Sequence, residues 1–92
     1  MILLELKQTS QFKKDLKRAM KRGLPLHLMD SVIKTLREQK SLDPKYRDHE
    51  LGGEYAGHRE CHIQNDWLFV YRVERDNLVL VATRTGTHSD LF

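Results

Sequence analysis

Cysteine is almost absent from these 92 residues. Cys61 stands alone, which excludes an internal disulfide and a cysteine-built zinc cage and fits a reducing compartment. Long apolar runs are absent too: nothing approaches the roughly 20 residues needed to span a bilayer, so membrane readings fall away. The opening Met1 to Leu6 is apolar but short, with no basic flank before it and no small-residue cleavage site after it. It does not read as a secretion signal, and the expected location is the cytoplasm. What is present, 39% hydrophobic and 32% charged residues, fits a soluble globular protein, and the length allows one domain with a single sheet covered by a couple of helices.

Charge is uneven along the chain. Residues 1–41 hold ten lysines and arginines against four acids, a balance of +6, so the remainder sums to −3. Lys13, Lys14, Lys17, Arg18, Lys21 and Arg22 make the densest basic run. A positive front half joined to a mildly acidic, histidine-bearing back half suggests electrostatic docking on a polyanion, with chemistry done elsewhere. The plain alternative for that run is a solvated helix face.

Periodicity supplies the elements. Residues 2–7 are of strand type, and Thr9 or Ser10 offers an N-cap for a helix with Phe12, Leu16, Ala19 and Met20 on one stripe. Gly23 suits the end of that helix and Pro25 the first turn of the next, which carries Leu28, Val32, Ile33 and Leu36 and fades near Lys40. Residues 42–57 are polar, with Pro44 and three glycines, and read as a long connection of the kind that is often functional. Three strand signals follow, at Arg59 to Ile63, Trp67 to Val73 and Leu78 to Arg84, parted by connections short enough for an antiparallel meander. The expected fold is therefore α+β: an N-terminal strand, a helical hairpin, then a three-stranded antiparallel meander, with the helices packed on one sheet face and the other face left for a ligand.

Four of the five histidines, His49, His58, His62 and His88, lie in the back half. Histidine gives and takes protons near neutrality, so this distribution suits metal-free acid–base chemistry on an anionic substrate, with Arg84 at a strand exit able to fork onto phosphate oxygens. Alternation puts Glu60 and His62 on one strand face, and Gly86 lets the chain bend so that His88 returns over the sheet. No pair of histidines lies at i, i+4 on a helix, as in known zinc motifs, so no metal or other cofactor is expected.

The run Tyr46-Arg47-Asp48-His49-Glu50-Leu51, then Arg59 to His62, Asp66-Trp67, and finally Arg84-Thr85-Gly86-Thr87-His88-Ser89-Asp90-Leu91-Phe92, resembles the YafQ branch of the RelE/ParE toxin superfamily over the whole chain. The resemblance implies a RelE-like fold and a toxin of a type II toxin–antitoxin system. Its activity would be that of a ribosome-dependent, metal-independent endoribonuclease cutting messenger RNA in the A site, with adenine-rich lysine codons as targets. The partners it implies are the ribosome, messenger RNA and an acidic, DNA-binding, DinJ-like antitoxin. By the same resemblance His88 is the general acid, Asp66 and His62 orient or deprotonate the 2′-OH, His49 handles a second proton or holds substrate, Arg84 binds the scissile phosphate, and Phe92 stacks on a base. Trp67 is either a further base platform or core. Arg84 has the alternative of pairing with Glu60 across the sheet, His62 of bonding a carboxylate, and Asp66 of simply forming its turn. An aspartate is expected where Glu60 stands, so no catalytic role is carried over to Glu60. A ParE-like inhibitor of DNA gyrase on the same scaffold is the alternative function, but it would not need His49, His62, Asp66 and His88 together.

Overall fold

The computed structural model describes residues 2–92. Five strands form one mixed sheet in the order β1-β5-β4-β3-β2, with β1 at Glu5–Gln8, β2 at His49–Glu50, β3 at Arg59–Gln64, β4 at Trp67–Glu74 and β5 at Val79–Gly86. Helices α1 (Ser10–Lys21) and α2 (Leu26–Arg37) follow β1, and a one-turn helix, α3 (His88–Leu91), ends the chain. The α+β class and the β3-β4-β5 meander match the expectation, and β1 closes the sheet by pairing parallel to β5.

The differences have local causes. The first strand starts at Glu5 rather than residue 2, because the Leu4 N–H donates to the Arg37 carbonyl and the chain meets β5 only when the Glu5 N–H reaches Leu78. Thr9 caps α1 by accepting the Phe12 N–H, as expected, while its own hydroxyl donates to the Thr83 carbonyl and ties the helix to β5. The buried face of α1 is centred on Asp15 and Ala19 beside Phe12, and this displaces Met20, expected on the apolar stripe, to 60% exposure. Helix α2 buries Met29, Val32 and Leu36, with Leu28 and Ile33 on its flanks, and stops at Arg37 instead of running on to Lys40. The connection at 42–57 is not wholly irregular: it contains two single 3-10 turns and β2, whose two residues pair His49 with Glu60 and Glu50 with Arg59. Two polar residues carry no alternation signal, so this strand is invisible to periodicity.

Each face of the sheet has its own cluster. Trp67, Phe69 and Tyr71 of β4, with Cys61, Ile63, Leu80 and Ala82 from its neighbours, meet Phe12, Ala19, Met29, Val32 and Leu36 of α1 and α2. Each fully buried large side chain there contributes about 1.5–3 kcal/mol. On the opposite face Leu68 and Val70 pack with Leu91 of α3 and with Leu51 and Tyr55 of the long connection. Two bulges set the alternation: Ile63 is the extra residue opposite Leu68 and Trp67, and Thr83 the extra residue opposite Val70 and Tyr71. Without the second bulge Arg84 would share the helix-facing side of Ala82. With it, Arg84 stands opposite Val70 on the open face.

Candidate active site

The open face gathers the acid–base residues. The β2–β3 pairing sets His49 against Glu60, and alternation along β3 brings His62 to the same side. Glu60 is only 3% exposed, yet its Oε1 lies 3.5 Å from His49 Nε2 and 3.8 Å from His62 Nε2, and its Oε2 has no hydrogen-bond partner. The rings run on in series, His49 to His62 at 6.4 Å between centroids, His62 to His88 at 5.9 Å and His88 to Phe92 at 6.4 Å. The structure thus brings His49, His62 and His88 together, while His58 packs edge-on against Tyr55 with its Nδ1 buried and unpartnered, and His27 lies away on α2.

Two of these imidazoles are held by one nitrogen each. His49 Nδ1 sits 2.7 Å from the Arg47 carbonyl oxygen, which can only accept, so Nδ1 carries the proton and Nε2 turns toward Glu60. Arg47 reaches this position through a left-handed backbone, φ 51°, and the neighbouring Asp48 is pinned by the Tyr71 hydroxyl at 2.5 Å and by Arg59. At the other end Asp66 Oδ1 accepts both the His88 backbone N–H at 3.0 Å and the His88 Nδ1–H at 2.5 Å. Those two bonds hold the Asp66 carboxyl below the usual carboxylate range. Asp66 therefore orients His88.

Arg84 does not pair with Glu60. Its Nε donates to Asp15 Oδ2 at 2.7 Å and its Nη2 to Asp15 Oδ1 at 3.3 Å, while Nη1 reaches the Tyr55 hydroxyl at 3.4 Å. Of its five N–H donors two remain for a phosphate. Asp15 is 2% exposed and also accepts from Thr85 N–H at the unpaired edge of β5, from Gln11 and from Arg18. Burial pushes the Asp15 carboxyl up, but the bonds from Arg84, Gln11 and Thr85 outweigh it and leave Asp15 below its ordinary value. Periodicity held the clue, for Asp15 lies one turn from both Phe12 and Ala19 on the buried stripe.

Trp67 is not a base platform. It is 3% exposed, and its indole N–H donates to Thr85 Oγ1, whose hydroxyl donates on to the Leu68 carbonyl. Phe92 is 61% exposed and packs edge-on to Tyr55 at 5.6 Å, which leaves a ring face for stacking. Tyr55, another residue that sequence reasoning missed, touches Arg84, His58 and Phe92 from the long connection. Of the basic residues on α1, Lys13, Lys14, Lys17 and Lys21 are exposed, whereas Arg18 and Arg22 turn toward Asp90 of α3. Glu60, His62 and His88 offer donor atoms within 4.8 Å of one another, a set that could hold a metal ion.

A relay of tethered imidazoles beside a half-free guanidinium and an exposed aromatic ring is suited to moving protons around a phosphodiester. Comparison with known proteins identifies the family. Residues 4–92 match the family described as bacterial toxin of type II toxin-antitoxin system, YafQ. The mRNA interferase toxin YafQ of Escherichia coli K12 is 32% identical over 100% of this chain and 99% of its own. A metal-bound toxin from Helicobacter pylori superposes with a TM-score of 0.92 at 39% identity, covering 98% of this chain and 100% of that one. The toxin of the E. coli DinJ–YafQ toxin-antitoxin complex gives a TM-score of 0.88 at 33% identity, with 99% of each chain covered. The chain belongs to the YafQ family of type II toxin–antitoxin toxins.

Proposed function

We propose that this YafQ-family toxin directs its endoribonuclease activity at messenger RNA held in the ribosomal A site, with adenine-rich codons as substrate. The observation that carries this reading is the tethering of His88 and His49 through their Nδ1 atoms, which leaves Nε2 of His88 to the substrate and sets Nε2 of His49 beside the Glu60 carboxylate. In the reaction the ribose 2′-OH attacks the adjoining phosphorus, the bond to the 5′-oxygen breaks, and a 2′,3′-cyclic phosphate and a 5′-hydroxyl result. His88 acts as the imidazolium: Asp66 holds its Nδ1–H, and Nε2–H protonates the leaving oxygen. His49 or His62 takes the 2′-OH proton, the buried Glu60 carboxylate stabilising the imidazolium that forms. Arg84, steadied by Asp15, neutralises charge growing on the phosphoryl oxygens, and Phe92 stacks on a base.

The exposed lysines of α1 dock on ribosomal RNA. An acidic antitoxin, as DinJ is the partner of the E. coli relative, restrains the toxin by covering the face of Arg84, His88 and Phe92. Gyrase inhibition on the same scaffold is not favoured, because the family matched is YafQ and the histidines converge. The donor set of Glu60, His62 and His88 raises one competing reading, a metal-dependent hydrolase. Stripping the purified toxin with chelator, dialysing the chelator away and then adding programmed ribosomes in their magnesium buffer tests both readings. Cleavage at the wild-type rate with 5′-hydroxyl products is expected, whereas loss of cutting that returns with an added transition metal would transfer the chemistry to an ion.

A further inference from the structure

Arg18 of α1 and Arg22 at its C-cap are engaged in a different way from the lysines of the helix. Arg22 grips Asp90 with two nitrogens, Nη1 to Oδ2 at 2.7 Å and Nη2 to Oδ1 at 3.3 Å. Arg18 Nη2 lies 3.7 Å from the same carboxylate and 3.2 Å from Asp15, which holds Arg84. Alternating charges therefore run without a break from Arg22 through Asp90, Arg18 and Asp15 to Arg84. At its far end Asp90 also completes the capping box of α3: its carboxylate accepts the Thr87 N–H at 2.9 Å, and its own N–H donates to the Thr87 hydroxyl at 3.1 Å. The bond from Arg22, with those to Thr87, keeps the Asp90 carboxyl far below its usual range. The chain makes room for this contact at Gly86, where a Cβ would come within 2.8 Å of the Asp90 carboxylate and 3.3 Å of Arg18.

We infer that Arg22 and Arg18 are positioning residues for the general acid, clasping Asp90 so that α3 carries His88 in register with Asp66. The clasp has a physical task because a single helical turn has no stability of its own. Helix α3 is attached otherwise by Leu91, which packs on Leu68 and Val70, by the edge-on contact of Phe92 with Tyr55, and by the exposed bonds of His88 to Asp66. His88 is the first residue of that turn, so a fraying α3 withdraws both the imidazole and the Phe92 ring. Helix α1 thus serves two ends, its lysines facing the solvent and its arginines fixing the catalytic groups at His88 and Arg84.

The inference rests on His88 being the general acid, and Asp90→Asn tests it separately from docking. An anionic residue makes no favourable contact with ribosomal RNA, so its neutralisation should leave ribosome affinity unchanged or raise it. The expected result is a single-turnover cleavage rate lower by on the order of ten- to a hundred-fold. Arg22→Ala should lower the rate similarly and Arg22→Lys less, because lysine keeps the charge but not the fork. A cooperative thermal transition and an unchanged far-ultraviolet circular dichroism spectrum confirm that each variant is folded. Nitrogen-15 NMR supplies the second readout, since the His88 Nδ1 proton should be sharp in the wild type and broadened away by exchange in Asp90→Asn and Arg22→Ala. Wild-type cleavage by Asp90→Asn, or an unchanged Nδ1 signal, would overturn the clasp. Were His88→Ala to cut normally, the assignment of the acid would fall instead, and the NMR signal would still decide whether Asp90 holds His88.

Discussion

Asp15→Ala removes the carboxylate on which the phosphate-binding end of the site is hung. It withdraws two bonds from Arg84 and one each from Thr85 N–H, Gln11 and Arg18, and it leaves the Thr85 amide buried without a partner. Breaking a buried ion pair by deleting one member costs about 3–5 kcal/mol, and because the Arg84 side chain is 20% exposed to solvent the lower end, about 3 kcal/mol, is expected here. A domain of this length has about 5–14 kcal/mol in all, so the loss is a large fraction of its stability. It corresponds to a fall in Tm of about 12–24 °C. Thermal and urea unfolding of Asp15→Ala, Arg84→Ala and the double variant measure the loss and the coupling between the two residues, expected above about 1 kcal/mol. A Tm lowered by less than about 4 °C, or additive single effects, would show that Asp15 does not anchor Arg84.

Three further outcomes are expected. Lys17→Glu/Lys21→Glu should weaken ribosome association and flatten its salt dependence by about one logarithmic unit for each phosphate no longer neutralised, and an unchanged slope would return these lysines to a solvated face. The Cys61 thiol, whose pKa burial raises with help from the Asp48 and Glu60 carboxylates, should resist alkylation in the native protein and react only on unfolding. Asp15, Asp66 and Asp90 all have lowered folded-state values. Their stabilisation is complete above the unfolded aspartate value of about 3.9 and is lost as pH falls through the folded values, so acid unfolding curves of Asp15→Asn should be flatter below about pH 4 than those of the wild type.

The sheet and helices were legible because long periodic segments announce themselves. Phe12 and Ala19 on α1, Val32 and Leu36 on α2, and the alternation of Trp67, Phe69 and Tyr71 on β4 carried those elements. The histidine positions were legible as a resemblance, but their tethers were not. His49 depends on a two-residue strand and on a left-handed Arg47, neither of which has a pattern to read. The bulge at Thr83 changes which face Arg84 serves, and a simple count along the strand cannot anticipate an extra residue. Charges seen in sequence order misled as well. Arg18 and Arg22 belong to a basic run by composition, yet their partners Asp15 and Asp90 are fixed by packing, 68 residues apart in the case of Arg22 and Asp90. Trp67, an aromatic beside an acidic turn, offered two roles, and only burial chooses core.

The claim on which the rest depends is that His88 delivers the proton to the leaving 5′-oxygen. A messenger RNA bearing sulfur in place of that bridging oxygen tests it, because a thiolate leaves without a proton. On ribosomes programmed with the ordinary RNA, His88→Ala should cut on the order of a hundred-fold or more slowly than wild type. With the sulfur-substituted RNA the two proteins should cut at nearly the same rate. A deficit of equal size on both substrates would contradict the assignment and place His88 elsewhere in the reaction.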